Sequence, residues 1–313
     1  MNKLIFVFLI SVCLVSAAVI LVTLVIVSKG RNTRIECDNN GGASSFLDVA
    51  EYMIEKAKDN YPICPTVKLN LTSGPVDCEE LLLTGNYRSG SYTIWPRSRI
   101  MERKSLQVYC DMDTDGGGWT LIQRRGDFKR PEDYFYQDWL NYKTGFGHIE
   151  KDFWLGNDNI FSLTNQNLYS IRFDLKDVEG AEKYAAYDVF WIDDETQNYT
   201  LHIRDYSGNA GDCMTDHNGM KFSTKDVDND LLEDGNCASL YSGGWWYNAC
   251  HSANLNGMYA KGKRDGDEGD DSGVEWKTWS DFDESFDTTE IKIRSKSFKQ
   301  KIVPFRQSRS IKA

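Results

Sequence analysis

The chain has 313 residues, 41% of them hydrophobic and 13% aromatic, which is enough for one large core or two small ones and too apolar for wholesale disorder. With 47 acidic residues against 36 basic ones the formal net charge is −11, which argues against a general nucleic-acid binder, since such a protein must meet phosphates with positive charge. Eight Cys, nine Trp and 25 Gly point to a loop-rich, cross-linked extracellular domain, and four His leave few groups for catalytic or zinc chemistry.

After Met1-Asn2-Lys3 the chain is apolar from Leu4 to Val27, interrupted only by Ser11, Ser16 and Thr23. The run is long enough to span a bilayer as a helix and longer than the apolar stretch of a signal peptide. Val15-Ser16-Ala17 is also a small-residue cleavage site, so residues 1–27 read as a retained signal-anchor first and a cleaved signal peptide second. Lys29, Arg31 and Arg34 follow the run, and the positive-inside rule alone would put the C-terminal side in the cytoplasm. The cysteines and two glycosylation sequons, at Asn70 and Asn198, argue for the exterior, because a disulfide domain needs an oxidising lumen.

Residues 28–75 read as linker and short stalk. Between Ser45 and Lys58, the residues Phe46, Val49, Ala50, Met53, Ile54 and Ala57 fall at helical spacing. Such a helix either packs on its own domain or pairs with other copies over two heptads. Cys37 and Cys64 flank it, placed to bridge chains or each other. The main domain runs from Val76 to about residue 298, an α+β texture with much ordered loop. Strands are expected at Ser105–Cys110, Thr120–Arg124, Tyr169–Leu175, Thr200–Arg204 and Glu290–Arg294. Helices are expected at Asp133–Tyr142 and Asn157–Leu163. The tail, 299–313, is basic with no acidic residue and reads as a solvated end.

Two acidic clusters resemble cation sites. Asp111, Asp113 and Asp115 with Gly116 imitate the start of an EF-hand loop, but position twelve is Ile122 where a bidentate Glu is required, so a turn before a strand is the better account. Asp226-Val-Asp228-Asn-Asp230, followed by Leu231-Leu232-Glu233-Asp234-Gly235, offers alternate carboxylates and a loop able to turn carbonyls inward, the oxygen donors that Ca²⁺ accepts. A solvated acidic turn explains the same spacing equally well. Arg125-Gly126-Asp127 is the integrin-type tripeptide, a match short enough to arise by chance. No zinc-protease, nucleophile-elbow, phosphate-loop or Cys-x-x-Cys signature is present, so no catalytic residue is assigned and the chain is not read as an enzyme. Cys237 to Cys250 encloses Tyr241, Trp245, Trp246 and Tyr247, more aromatic surface than so short a loop can bury by itself. The spacing fits a Trp pair in the core with Tyr241 and His251 at the rim of an aromatic-walled pocket.

Several stretches together resemble the fibrinogen C-terminal domain, over about 220 of the 313 residues. They are Cys78-Glu-Glu-Leu, Val108-Tyr-Cys-Asp-Met-Asp-Thr-Asp-Gly-Gly-Gly-Trp119-Thr, Asp152-Phe-Trp-Leu-Gly-Asn-Asp-Asn-Ile160 and Cys237–Gly257. Within that family Tyr206–Asp212, Phe222–Asp226 and Trp245–Gly257 look most like ficolins and the arthropod tachylectin-type lectins. The resemblance implies a twisted antiparallel sheet, few short helices and a loop-rich calcium and ligand subdomain. It implies disulfides Cys78–Cys110 and Cys237–Cys250, and a calcium ion held by Asp228 and Asp230 with backbone carbonyls near Leu232 and Asp234, in a loop one residue longer than ficolins usually have. It implies a cis Ala249–Cys250 bond that aims the Cys250 and His251 N–H groups at an acetyl oxygen, with Tyr241, Ala249 and Phe282 as pocket walls. Where tachylectin-type lectins carry a pocket Tyr after the Asn-Gly run, this chain has an acidic loop, Lys261 to Asp271, which would favour a cationic ligand unless it is simply solvated.

The expected function is that of a calcium-dependent, non-enzymatic lectin for acetylated glycans on microbes or cells, extracellular and homo-oligomeric; the alternative is an adhesion or receptor-ligand module that binds a protein partner. With Cys13 in the apolar run, Cys37, Cys64 and Cys213 remain, an odd number that leaves at least one free or shared between chains.

Overall fold

The computed structural model describes residue 52 and residues 74–97, 104–263, 272–280 and 284–298. The apolar run 1–27, Cys37, Cys64, Asn70, the acidic residues 264–271, Phe282 and the tail 299–313 lie outside the described residues, as does the expected stalk helix apart from Tyr52.

The domain opens with helix α1 (Cys78–Leu83), whose first turn is capped by Asp77: its Oδ1 accepts the Glu80 N–H at 3.0 Å. Strands β1 (Gly90–Ile94), β2 (Leu106–Asp111) and β3 (Trp119–Arg125) follow. Helices α2 (Trp139–Thr144) and α3 (Asn157–Thr164) come next, then β4 (Tyr169–Lys176), β5 (Glu182–Ile192) and β6 (Leu201–Gly208). The one-turn helix α4 (Cys237–Leu240) and the long strand β7 (Thr288–Ser295) complete the main elements. The sheet order is β1-β2-β3-β7-β4-β5-β6, every pair antiparallel. The C-terminal strand therefore lies in the middle, where Ile291 and Ile293 are buried. Alternation in β4, with Tyr169, Ile171, Phe173 and Leu175 all buried, turns one sheet face to the core.

The strands expected from the sequence are present, and α3 starts where expected. The first expected helix is not continuous. Residues 132–135 form turns, with Tyr134 N–H bonded to Pro131 O at 3.0 Å and Tyr136 N–H to Asp133 O at 2.8 Å. Asp138 then starts a new helix by accepting the Asn141 N–H at 2.9 Å, so the helix covers Trp139–Thr144 rather than Asp133–Tyr142. Strand β5 was not expected, because Glu182, Lys183, Asp188 and two alanines dilute its alternation.

The outward face of the sheet carries charge. The Lys292 ammonium sits 2.7 Å from Asp111, 2.7 Å from Asp174 and 3.0 Å from Glu290, with its side chain only 2% exposed. Burial alone would lower its pKa, but the three carboxylates outweigh burial and hold it above the ordinary lysine value. This explains the Asp111 cluster: Asp111 caps the following turn through the Asp113 and Thr114 amides and anchors Lys292, with no part in an EF-hand. Replacing Lys292 by Met leaves three carboxylates facing one another, so the Lys292→Met variant should lose about 3–5 kcal/mol of stability in urea unfolding; a loss below about 1 kcal/mol would show that the network is not under load.

Candidate functional site

Below the sheet the chain from Tyr241 to Gly257 is almost entirely irregular, yet Gly243–Tyr247 and Ala253–Gly257 are buried. Irregular buried backbone needs side-chain partners, and they come from distant elements. Gln123 on β3 donates to Leu255 O at 2.8 Å and to Asn256 Oδ1 at 3.1 Å. The Arg125 guanidinium, fully buried, donates to Leu255 O at 3.1 Å and Gly257 O at 2.9 Å and lies 3.9 Å from the centre of the Phe135 ring. The Tyr142 hydroxyl accepts the Gly244 N–H at 3.0 Å and donates to Phe135 O at 2.7 Å. Asn254 Nδ2 donates to Tyr241 O at 3.0 Å, and Tyr247 Oη donates to Gly243 O at 2.9 Å. Gly257 is required sterically: a Cβ there would lie 2.0 Å from Gly273 O.

This arrangement overturns an adhesion reading of Arg125-Gly126-Asp127. Arg125 is 2% exposed and spent on the loop, the Gly126 N–H is held by Asp152 at 2.9 Å, and Asp127 pairs with Lys129 at 3.0 Å.

His217 holds the other side of the loop. It is fully buried; its Nδ1 lies 2.7 Å from Trp246 O, and its Nε2 accepts the Ser252 and Ala253 N–H groups, each at 3.2 Å. The only neutral tautomer that fits carries its proton on Nδ1, because Nε2 faces two donors. Burial pulls the His217 pKa down to about 4, against the smaller upward pull of the Trp246 carbonyl.

The loop so held presents the candidate pocket. The Cys237–Cys250 disulfide closes it, and the Ala249–Cys250 peptide bond is cis. The Tyr241 ring stands edge-on to the His251 ring with centroids 4.4 Å apart, and Tyr247 lies 6.0 Å from His251. Among the described residues the Cys250 N–H meets no acceptor. Ala249 is exposed, Tyr241 and His251 are half-buried at the rim, and Trp245 and Trp246 are buried beneath. Trp246 Nε1 donates to Tyr199 O at 2.8 Å and its ring packs on Phe222 and Trp154.

Next to the pocket lies the acidic loop. Asp230 Oδ1 accepts the Leu232 N–H at 2.9 Å and Oδ2 accepts the Cys237 N–H at 2.8 Å, so this carboxylate holds the first residue of α4, whose cap is Asn236, and with it one end of the disulfide. Asp228 Oδ1 accepts the Asp230 N–H at 3.2 Å, which brings the two carboxylates together. Burial first, and then the Asp228 charge, raise the Asp230 pKa. The carbonyls of Leu232 and Asp234 accept no hydrogen bond from any described residue. Paired carboxylates with two spare carbonyls form an all-oxygen donor set that suits Ca²⁺. The described residues hold no cluster of three or more His, Cys, Asp or Glu placed for a metal, so carbonyls are needed to complete such a site. The loop is tied to the pocket by the Leu231 N–H, 2.8 Å from Asn248 O. Asp226 instead accepts the Trp139 N–H at 2.9 Å and belongs to the start of α2.

Cys78–Cys110 is the second disulfide, and Cys213 is a buried thiol 3.2 Å from the Thr278 hydroxyl, out of reach of another chain. Asn198 lies half-buried in a left-handed turn, φ 51°. Among the described residues no helix is long and apolar enough to cross a membrane. Sequence reasoning missed Gln123, Arg125 and His217 as supports, since each lies far along the chain from what it holds.

A sheet-backed, disulfide-closed loop presenting an aromatic recess and an oxygen-rich turn defines a recognition domain rather than an enzyme. Residues 74–296 match the family model described as fibrinogen beta and gamma chains, C-terminal globular domain, and the chain belongs to that family of non-enzymatic lectins and binding proteins. It is 49% identical over 265 residues to Techylectin-5A of Tachypleus tridentatus, covering 84% of this chain and 89% of that protein. It is 46% identical over 259 residues to a techylectin-like protein of Phoneutria nigriventer, covering 82% and 97%. The fibrinogen-like globe domain of human ANGPTL2 superposes with a TM-score of 0.66 at 38% identity, covering 71% of this chain and 99% of that one.

The tautomer of His217 has a thermodynamic consequence. Protonation is disfavoured in the folded state, so the unfolded chain binds more protons between pH 6.5 and 4. Stability from this group is complete above pH 6.5, falls as the pH drops towards 4, and is constant below; the full span is about 3 kcal/mol. Thermal melts from pH 7 to 4 should show this loss, and the His217→Gln variant should show a shallower one; equal slopes for the two proteins would contradict the assignment.

Proposed function

We propose that this chain is an extracellular, calcium-dependent lectin for acetylated glycans. The observation that carries the reading is the pocket itself: the unspent Cys250 N–H after a cis bond, walled by Tyr241 and His251, offers a donor for an acetyl oxygen and an apolar recess for its methyl. The names of its techylectin relatives support the lectin class. Asp228 and Asp230 with the Leu232 and Asp234 carbonyls would hold the calcium ion, and a bound cation there would neutralise the carboxylate pair and stiffen the turn that leads into Cys237. His251 and Ala249 would border the ligand, and Tyr241 would pack against its ring or methyl face.

A single site of this kind is weak. One methyl contributes about 0.8 kcal/mol and two backbone hydrogen bonds about 1 kcal/mol each, which corresponds to the millimolar range or weaker. Useful binding to a coated surface then requires several copies held together. Export of the domain would rest on the apolar run 1–27, and clustering on segment 37–64.

Chromatography on an immobilised N-acetylated sugar is the test. The protein should be retained in calcium and released both by free N-acetylglucosamine and by a chelator, while Asp228→Ala with Asp230→Ala should flow through. Flow-through of the unmodified protein in calcium would reject the lectin reading and favour a protein ligand.

A further inference from the structure

The outward face of the sheet holds a cavity of about 690 Å³, far along the chain from the pocket loop and lined by residues of β2, β3, β4, β5 and β7. Its floor is the Lys292 network, and its walls are two arginines. The Arg124 guanidinium lies 4.0 Å from the centre of the Tyr109 ring and bonds Glu290 Oε1 through Nε at 2.8 Å. Arg172 repeats the arrangement two strands away, 3.8 Å from the Tyr184 ring and bonded through Nε to Asp174 Oδ1 at 2.7 Å. Each guanidinium is thus fixed in plane and direction by a ring beneath it and a carboxylate on its Nε edge. The Nη groups of both donate to no described residue.

Glu290 pairs with Arg124 across one neighbouring strand, and Lys292 with Arg172 across the other, so the two arginines lie two strand spacings apart across the sheet and two residues apart along it, about 12 Å between their backbone positions. Glu290 and Asp174 are each shared between an arginine and Lys292 and are already satisfied. Leaving aside Arg125, whose guanidinium faces the pocket loop, the lining has five basic side chains against four acidic ones, and one of the four, Asp127, is paired with Lys129 and Lys261 outside it. With Asp111 beneath Lys292 counted as well, the charges around the recess nearly balance, so what it offers an anion is the unspent Nη donors of Arg124 and Arg172. Pre-oriented guanidinium forks on aromatic rings are suited to bidentate capture of oxyanions, which a lysine ammonium cannot reproduce.

We propose that this sheet face is a second binding site, for an anionic polysaccharide whose sulfate or carboxylate groups engage the Arg124 and Arg172 forks at the same time. Lys183, held 4.3 Å from the Trp279 ring, stands at the cavity edge as a further contact outside the ion network.

The test uses the full chain on immobilised dextran sulfate, alginate and neutral dextran at low salt. Dextran sulfate should retain the protein and neutral dextran should not, with retention lost as salt screens the charges. Retention on dextran sulfate alone assigns sulfate esters, and retention on alginate as well assigns oxyanions in general. The double variant Arg124→Gln, Arg172→Gln should bind at least tenfold more weakly, and Arg172→Lys, which keeps the charge and loses the fork, should fall between. If the double variant melts at a lower temperature than the unmodified protein, Lys183→Glu replaces it, with an expected loss of at least threefold. Binding that is undiminished in a variant of unchanged melting temperature would place the attraction elsewhere, such as the basic residues 299–313, and overturn the proposal. Failure to bind either anionic polymer would overturn it outright.

Discussion

Buried backbone without a helix or sheet ladder must be hydrogen-bonded by side chains, and in this domain the loop from Tyr241 to Gly257 draws on four residues outside it, Gln123, Arg125, Tyr142 and His217, beside its own Tyr247, Asn254 and Asn256. Two of these point inward from β3, where a strand next to the centre of the sheet would ordinarily present aliphatic side chains to the core. Arg125 is held charged in full burial because two carbonyls, the Phe135 ring and the nearby Asp152 surround it, although burial pulls its pKa down to about 10. The loop is therefore rigid for a reason located elsewhere in the fold. A recess that needs no ordering on binding loses less entropy when a small group enters it.

The two faces of the sheet use charge differently. On the inner face Gln123 and Arg125 are spent on the loop from Tyr241 to Gly257. On the outer face Lys292, Asp111, Asp174 and Glu290 lock one another, and the arginines that flank them keep donors to spare. The inner arrangement yields a pocket of fixed shape, and the outer one a surface of fixed charge. Both depend on β7, the last strand in sequence and the middle one in the sheet. Removing it would separate β3 from β4 and dismantle both faces.

The motifs legible in the sequence are local ones. Cys237 to Cys250 and the Asp228–Asp230 spacing are each local in the chain, so the aromatic-rich loop and the alternate carboxylates are visible in the sequence, while spacing alone leaves a cation site and a solvated turn equally open and the family resemblance carries the fold and the site assignments. The supports were not legible in the same way. Gln123 reaches a carbonyl 132 residues further on, and His217 reaches amides 35 and 36 residues away, with nothing in their neighbours to announce it. Arg125 was actively misleading, because the tripeptide it opens has an exposed meaning that its burial removes. Helix α2 failed for a local reason: the apolar spacing from Phe135 to Tyr142 is helical, yet Asp138 caps a new start within it.

The clamps from Gln123, Arg125, Tyr142 and His217 pre-form the loop from Tyr241 to Gly257 before anything binds to it. Hydrogen exchange in the absence of ligand tests it most directly, at the Ser252 and Ala253 amides that His217 accepts. Protection comparable to that of the β4 and β7 amides is expected, so that these positions open only with the domain as a whole. Exchange as fast as that of an exposed turn would contradict it and mean that the pocket forms only when its ligand arrives.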